Sequence, residues 1–147
     1  MATLPFAYII HITFGWCGLA IAGALAFFIG CIATDHYLRK DATSSDPKEV
    51  VIDEVAGQLL ALAFVAPTFT GYVVGFLLFR AFDIIKPGPI GWADRELKGA
   101  MGVMFDDVLA GLAAAFLPII ALLICVEFTE LAPLANWLNS FVSLYVP

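Results

Sequence analysis

The chain has 147 residues, of which 62% are hydrophobic and 14% charged, and its mean hydropathy is +0.96. A soluble domain of this length cannot bury that much apolar surface, so part of its solvent is lipid. The net charge of −6 argues against nucleic acid as a partner.

The charges are clustered. Nearly all lie in two blocks, Asp35 to Glu54 and Arg80 to Asp107, with Glu127 and Glu130 apart. Cys17, Cys31 and Cys125 sit in apolar runs without metal-ligand spacing and read as packing residues. The N-terminus has no basic region of the signal-peptide kind, and its apolar stretch runs on too far for one.

Residues 1 to 34 carry no Asp, Glu, Lys or Arg. That is too long for one simple span, and Gly15-Trp16 falls near its middle. The pattern predicts a short helix around Leu4 to Phe14, a turn, and a longer helix from about Trp16 to Arg39. His11, alone on an apolar helix, reads as a packed or interfacial residue rather than a ligand. Asp35 to Asp46 forms a polar connector. Ser45 or Asp46 can then cap a helix, with Pro47 and Glu49 suited to its first turn.

Asp53 and Glu54 run straight into an uncharged segment that lasts to Phe79. One span from Val55 to Phe79 would put two basic blocks on opposite membrane faces. These are Arg39, Lys40 and Lys48 before it, and Arg80, Lys86, Arg95 and Lys98 after it. The positive-inside rule places both in the cytoplasm. The break Ala66-Pro67-Thr68-Phe69-Thr70-Gly71 offers a re-entrant hairpin instead, which returns Asp83 to the side of Asp53 and Glu54. A single kinked transmembrane helix is the alternative.

Asp83 and Lys86, three apart, share a helix face, and Pro87-Gly88-Pro89 ends that helix. Ile90 to Leu97 reads as a short connector carrying Asp94 and Arg95, with Asp94 and Glu49 secondary. Gly99 and Gly102 allow close backbone approach ahead of Asp106 and Asp107. This pair stands at the mouth of Val108 to Val126, an uncharged run of 19 residues and about 28 Å of helix at ~1.5 Å per residue. No basic residue follows Lys98, so this helix should leave the cytoplasm and put Glu127 and Glu130 on the far side, where Gln substitutions should be nearly silent. Leu131 to Pro147, with Trp137 and Tyr145 as interface anchors, either returns through the membrane or lies in its surface.

The expected fold is therefore an all-α, polytopic membrane bundle with short re-entrant-like helices. Asp53, Glu54, Asp83, Asp106 and Asp107 gather at one cytoplasmic level. So many carboxylates cannot stay ionised together without a counter-charge. Lys86, Arg80, Arg95 and Lys98 supply some, and the all-oxygen donor set suits a hard cation such as Mg²⁺. Such a site suits phosphate-ester chemistry, with a carboxylate acting on the attacking water. Equally, each acidic pair is explained by a helix N-terminus that favours negative charge.

Three segments, DPKEVVIDEVAGQ (Asp46 to Gln58), FRAFDIIKPGPI (Phe79 to Ile90) and GAMGVMFDDVLAG (Gly99 to Gly111), resemble in order and spacing the phosphatidylglycerophosphatase A family. The resemblance covers about Leu4 to Ile124. It implies a bacterial inner-membrane, Mg²⁺-dependent phosphatase that converts phosphatidylglycerophosphate to phosphatidylglycerol. The family's acidic motif residues map onto Asp53, Glu54, Asp83, Asp106 and Asp107, and its Lys-Pro step onto Lys86 and Pro87. Asp53, Asp83, Lys86 and Asp107 are the expected catalytic residues. Lys86, Arg80, Arg95 and Lys98 are expected on the substrate phosphate. The expected partners are the lipid and the membrane, with self-association left open. The chain is expected to be a single domain over residues 1–147, without the Gly/Pro/Ser-rich segment that family members usually carry ahead of it.

A phosphohistidine route lacks its Ser-Gly-His context around His11 or His36, and no Asp-x-Asp nucleophile occurs. Direct metal-assisted hydrolysis is favoured over a covalent intermediate. A small ion or metabolite transporter is the rival reading, but it would place carboxylates at mid-bilayer depth, and Val55 to Phe79 and Val108 to Val126 hold none. A structural subunit, with the motifs as helix caps, would tolerate Asp→Asn changes.

Overall fold

A computed structural model describes residues 3–40 and 51–145. Among these the chain forms five helices: α1 (Thr3–Lys40), α2 (Ile52–Ala63), α3 (Phe69–Ile85), α4 (Pro89–Glu96) and α5 (Ala100–Tyr145). Two stretches are long and apolar enough to cross a membrane, Thr3–Arg39 and Ala100–Cys125. Along α1 the exposed side chains include Phe6, Ile9, Phe14, Trp16, Ile21, Phe28 and Ile32. An apolar face of that extent marks contact with a nonaqueous medium, and lipid supplies it.

α1 is two helices joined at Gly15, whose φ of 66° and ψ of −163° leave the helical region. Glycine enters that region without steric cost. The predicted division at Gly15-Trp16 is the observed one. His11 packs as expected, with its Nδ1 3.2 Å from the Tyr72 hydroxyl. The cysteines are free, but Cys17 and Cys125 are exposed rather than packed.

The hairpin reading holds, and the single kinked helix does not. α2 ends at Ala63, and α3 restarts at Phe69 with the Thr68 hydroxyl accepting from the Gly71 N–H at 3.1 Å. The two helices run antiparallel: Gly57 lies against Phe79, and Gly75 lies against Leu62. At 12 and 17 residues, each is shorter than the roughly 20 residues a span requires. α2 is the central element. Leu59, Leu62 and Ala63 pack with Ala7, Leu19 and Tyr72, and Ala61 packs with Phe79, Ile90, Ala110 and Ala114.

Two expectations are corrected. Pro89 to Glu96 is a helix, α4, rather than an irregular connector. Gly88 (φ 50°) makes the turn, and Pro89 occupies the first turn, where its missing N–H costs nothing. Asp106 and Asp107 are not at a helix mouth. α5 begins at Ala100, after Gly99 (φ 70°), so they are its seventh and eighth residues. The attraction of a helix N-terminus fades within the first turn and does not account for them.

The predicted cap at Ser45 or Asp46, with Pro47, Lys48 and Glu49, lies outside the described residues. The chain divides into two compact units, Met1–Phe116 and Leu117–Pro147. The second is helical as far as Tyr145.

Candidate active site

The site is built where α2 and α5 touch backbone to backbone. A Cβ on Gly111 would lie 2.3 Å from the Gly57 carbonyl oxygen, and one on Gly57 would lie 2.4 Å from the Asp107 carbonyl oxygen. Only glycine permits this approach. Asp53 sits one turn before Gly57, and Asp107 one turn before Gly111. The crossing therefore fixes two carboxylates at one level.

α3 adds Asp83. Arg80 Nη1 donates to Asp83 Oδ2 at 3.0 Å and pairs with Glu54 Oε1, also at 3.0 Å, tying the end of the hairpin to its start. The chain then turns sharply. Lys86 caps α3 in the left-handed region (φ 47°, ψ 56°), uncommon for a residue other than glycine. Its Nζ donates to Asp106 Oδ2 at 2.7 Å and to Asp94 Oδ1 at 2.5 Å.

These groups face one cavity of about 630 Å³. Its walls carry Asp53, Glu54, Asp83, Lys86, Asp94, Arg95, Lys98, Asp106 and Asp107, together with Leu38 from the end of α1. Depth sorts them. Asp106 and Asp107 are 6% and 5% exposed, Asp53, Asp83 and Lys86 are half-buried, and Asp94, Arg95 and Lys98 are exposed.

The electrostatics follow from this crowding. Burial pushes the Asp53 carboxyl up to about 6; the Glu54 backbone N–H opposes the shift, and the Glu54 and Asp106 charges add to it. Burial alone would lower the Lys86 ammonium, but its bonds to Asp106 and Asp94 outweigh that and raise it. The Glu54 hydrogen bond raises the Arg80 guanidinium further. Both cations are therefore fixed as charged groups. Around Asp107 the electrostatic neighbours include three more carboxylates, Asp83, Asp53 and Asp106.

The expected site residues thus lie on one cavity, with one exception. Arg80 is not on its wall and is engaged by Glu54 and Asp83. Asp94, read as secondary, is a direct partner of Lys86. The signal was weak: Asp94 is eight residues from Lys86, across a turn whose geometry the sequence does not state.

The donor set fits a hard cation in its chemistry, being all carboxylate oxygen. One atom is available for it: Asp106 Oδ1 is buried and has no hydrogen-bond partner among the described residues. Among those residues, no three His, Cys, Asp or Glu side chains already stand together as a complete ligand group.

The fold and this cavity define an all-α membrane protein with a carboxylate and lysine site between α2, α3, α4 and the second turn of α5. Residues 1–124 match the family described as Phosphatidylglycerophosphatase A, and the chain belongs to that family. It is 35% identical over 116 residues to the Phosphatidylglycerophosphatase A of Escherichia coli (strain K12), covering 78% of this chain and 66% of that protein. It is 38% identical over 96 residues to the protein of the same name from Haemophilus influenzae, covering 62% of this chain and 56% of that one. The chain thus spans less than two thirds of the length of either relative. No solved structure matches it.

Proposed function

We propose that this chain hydrolyses the terminal phosphomonoester of phosphatidylglycerophosphate, yielding phosphatidylglycerol and phosphate, with Mg²⁺ as cofactor. The observation that carries the reading is Lys86, a fixed cation held between Asp94 and Asp106 in a cavity whose other buried and half-buried charged groups are carboxylates. Family membership and the names of the two relatives support the substrate.

Asp53, Glu54, Asp83, Asp106 and Asp107 are the proposed holders of the metal, which when bound supplies positive charge to the phosphoryl oxygens. Lys86 neutralises a further oxygen of the phosphoryl group. A carboxylate of the group accepts the proton of the attacking water as its oxygen bonds to phosphorus. The phosphorus–oxygen bond to glycerol breaks, and the glycerol oxygen takes the proton that the carboxylate received from the water, which returns the carboxylate to its starting state. Arg80 is a positioning residue that holds Glu54 and Asp83.

The proposed setting is a bacterial inner membrane crossed more than once, with the cavity on the cytoplasmic side. Arg39 at the end of α1 and Arg80, Lys86, Arg95 and Lys98 around the cavity support that orientation. The test is conversion of phosphatidylglycerophosphate to phosphatidylglycerol in liposomes by the chain and by Asp107→Asn. Conversion by the first and not the second is expected. Equal conversion by both removes Asp107 from the mechanism.

A further inference from the structure

The cations around the cavity are not equivalent. Lys86 is half-buried and paired with two carboxylates, one of them the buried Asp106, which leaves the third of its three N–H donors for a ligand. Arg95 and Lys98, at the end of α4 and just beyond it, are exposed on the cavity rim. Among the described residues neither makes an ion pair with a carboxylate. Gly91 helps place one of them. A Cβ there would lie 2.4 Å from the Lys86 carbonyl oxygen and 3.2 Å from Arg95 Nη1, so its absence lets α4 seat against the end of α3 with the guanidinium laid along it.

The proposed substrate is graded in the same way. It carries two phosphates: a dianionic monoester at its tip and a monoanionic diester one glycerol closer to the acyl chains. A monoester that reaches the carboxylate floor and Lys86 leaves the diester one glycerol shallower, at the rim. We infer that Arg95 and Lys98 form a separate subsite for the phosphodiester of the lipid, while Lys86 serves the monoester. This rests on the reading of the cavity as a lipid phosphatase site. It makes the two rim cations determinants of specificity: they select lipids whose monoester is carried beyond a phosphodiester. Arg suits a diester oxygen pair through its planar fork, and Lys adds a point charge.

Two lipids separate the subsites. Phosphatidylglycerol has the diester alone, and phosphatidate has the monoester alone. Binding of each, in detergent micelles, is measured for the wild type, the double variant Arg95→Gln/Lys98→Gln, and Lys86→Gln. The double variant is expected to lose tenfold or more in phosphatidylglycerol affinity and to keep phosphatidate within twofold. Lys86→Gln is expected to do the reverse. In turnover, the double variant should raise KM for phosphatidylglycerophosphate more than it lowers kcat. Equal loss of both lipids by the double variant, or loss of neither, overturns the division. If the wild type releases no phosphate, the phosphatase reading fails, and the binding comparison still decides whether the rim is a diester subsite.

Discussion

Gly57 and Gly111 touch through their backbones, and that contact is what places Asp53 beside Asp107. A methyl group on Gly111 would collide with a backbone oxygen, which cannot swing aside as a flexible side chain does. Gly111→Ala is expected to lower stability by about 1–3 kcal/mol, the usual range for overpacking. It should also depress turnover in the protein that remains folded, because the two carboxylates move apart. Thermal unfolding in detergent, with phosphate release per folded molecule, checks both. Unchanged values would show that the helices have slack at this crossing.

Lys86→Gln should cut turnover by about 100-fold or more, the scale of losing a charged donor at a reacting oxygen. It also leaves Asp106 without its counter-charge, so folding yield must be measured alongside. Lys86→Arg tests whether shape matters as well as charge. The left-handed cap aims a slender ammonium between two carboxylates, and a guanidinium should restore only part of the activity.

Asp94 pairs with Lys86, so its expected role is to position that ammonium rather than to touch substrate. Asp94→Asn is expected to cost about tenfold in turnover, within the range found for residues that orient a functional group. Added to Lys86→Gln it should cost nothing more. Full additivity in that double-mutant cycle would give Asp94 a role of its own.

Asp53 has a pH signature that can be read in EDTA. Its carboxyl titrates near 6 in the folded chain, against an ordinary value of 3.8, so the folded state holds the proton more tightly. The resulting stabilisation is complete below 3.8 and is lost as pH rises through 6. The protein in EDTA should therefore unfold at a higher temperature at pH 5 than at pH 7.5, and Asp53→Asn should flatten that difference. A wild-type profile without slope across this window would contradict the burial argument.

Much of this arrangement is written in residue spacing. Gly15 divides the first apolar run, and the Pro67 to Gly71 break folds α2 and α3 into a hairpin, because a glycine or proline acts locally. What spacing does not decide is the choice among partners. Asp83 has Arg80 three residues before it and Lys86 three after it, and periodicity treats the two alike. The positive φ at Lys86 turns that side chain towards Asp94 and Asp106, leaving Asp83 to Arg80. α4 was illegible for a related reason. The eight residues of α4, beginning with the last proline of the Pro-Gly-Pro turn, carry too short an apolar pattern to reveal a helix, so Asp94 had no visible route into the cavity. The position of Asp106 and Asp107 inside α5 was missed because the helix starts directly after Gly99, a glycine that reads equally well as loop.

Phosphate release from phosphatidylglycerophosphate in liposomes, with Mg²⁺, then EDTA, then Mg²⁺ restored, tests the central claim most directly. Release is expected in Mg²⁺, with loss in EDTA and recovery on restoring the ion, and Asp83→Asn and Asp107→Asn are expected to be inactive throughout. Release that persists in EDTA, or that survives in both variants, would contradict a metal-assisted carboxylate site.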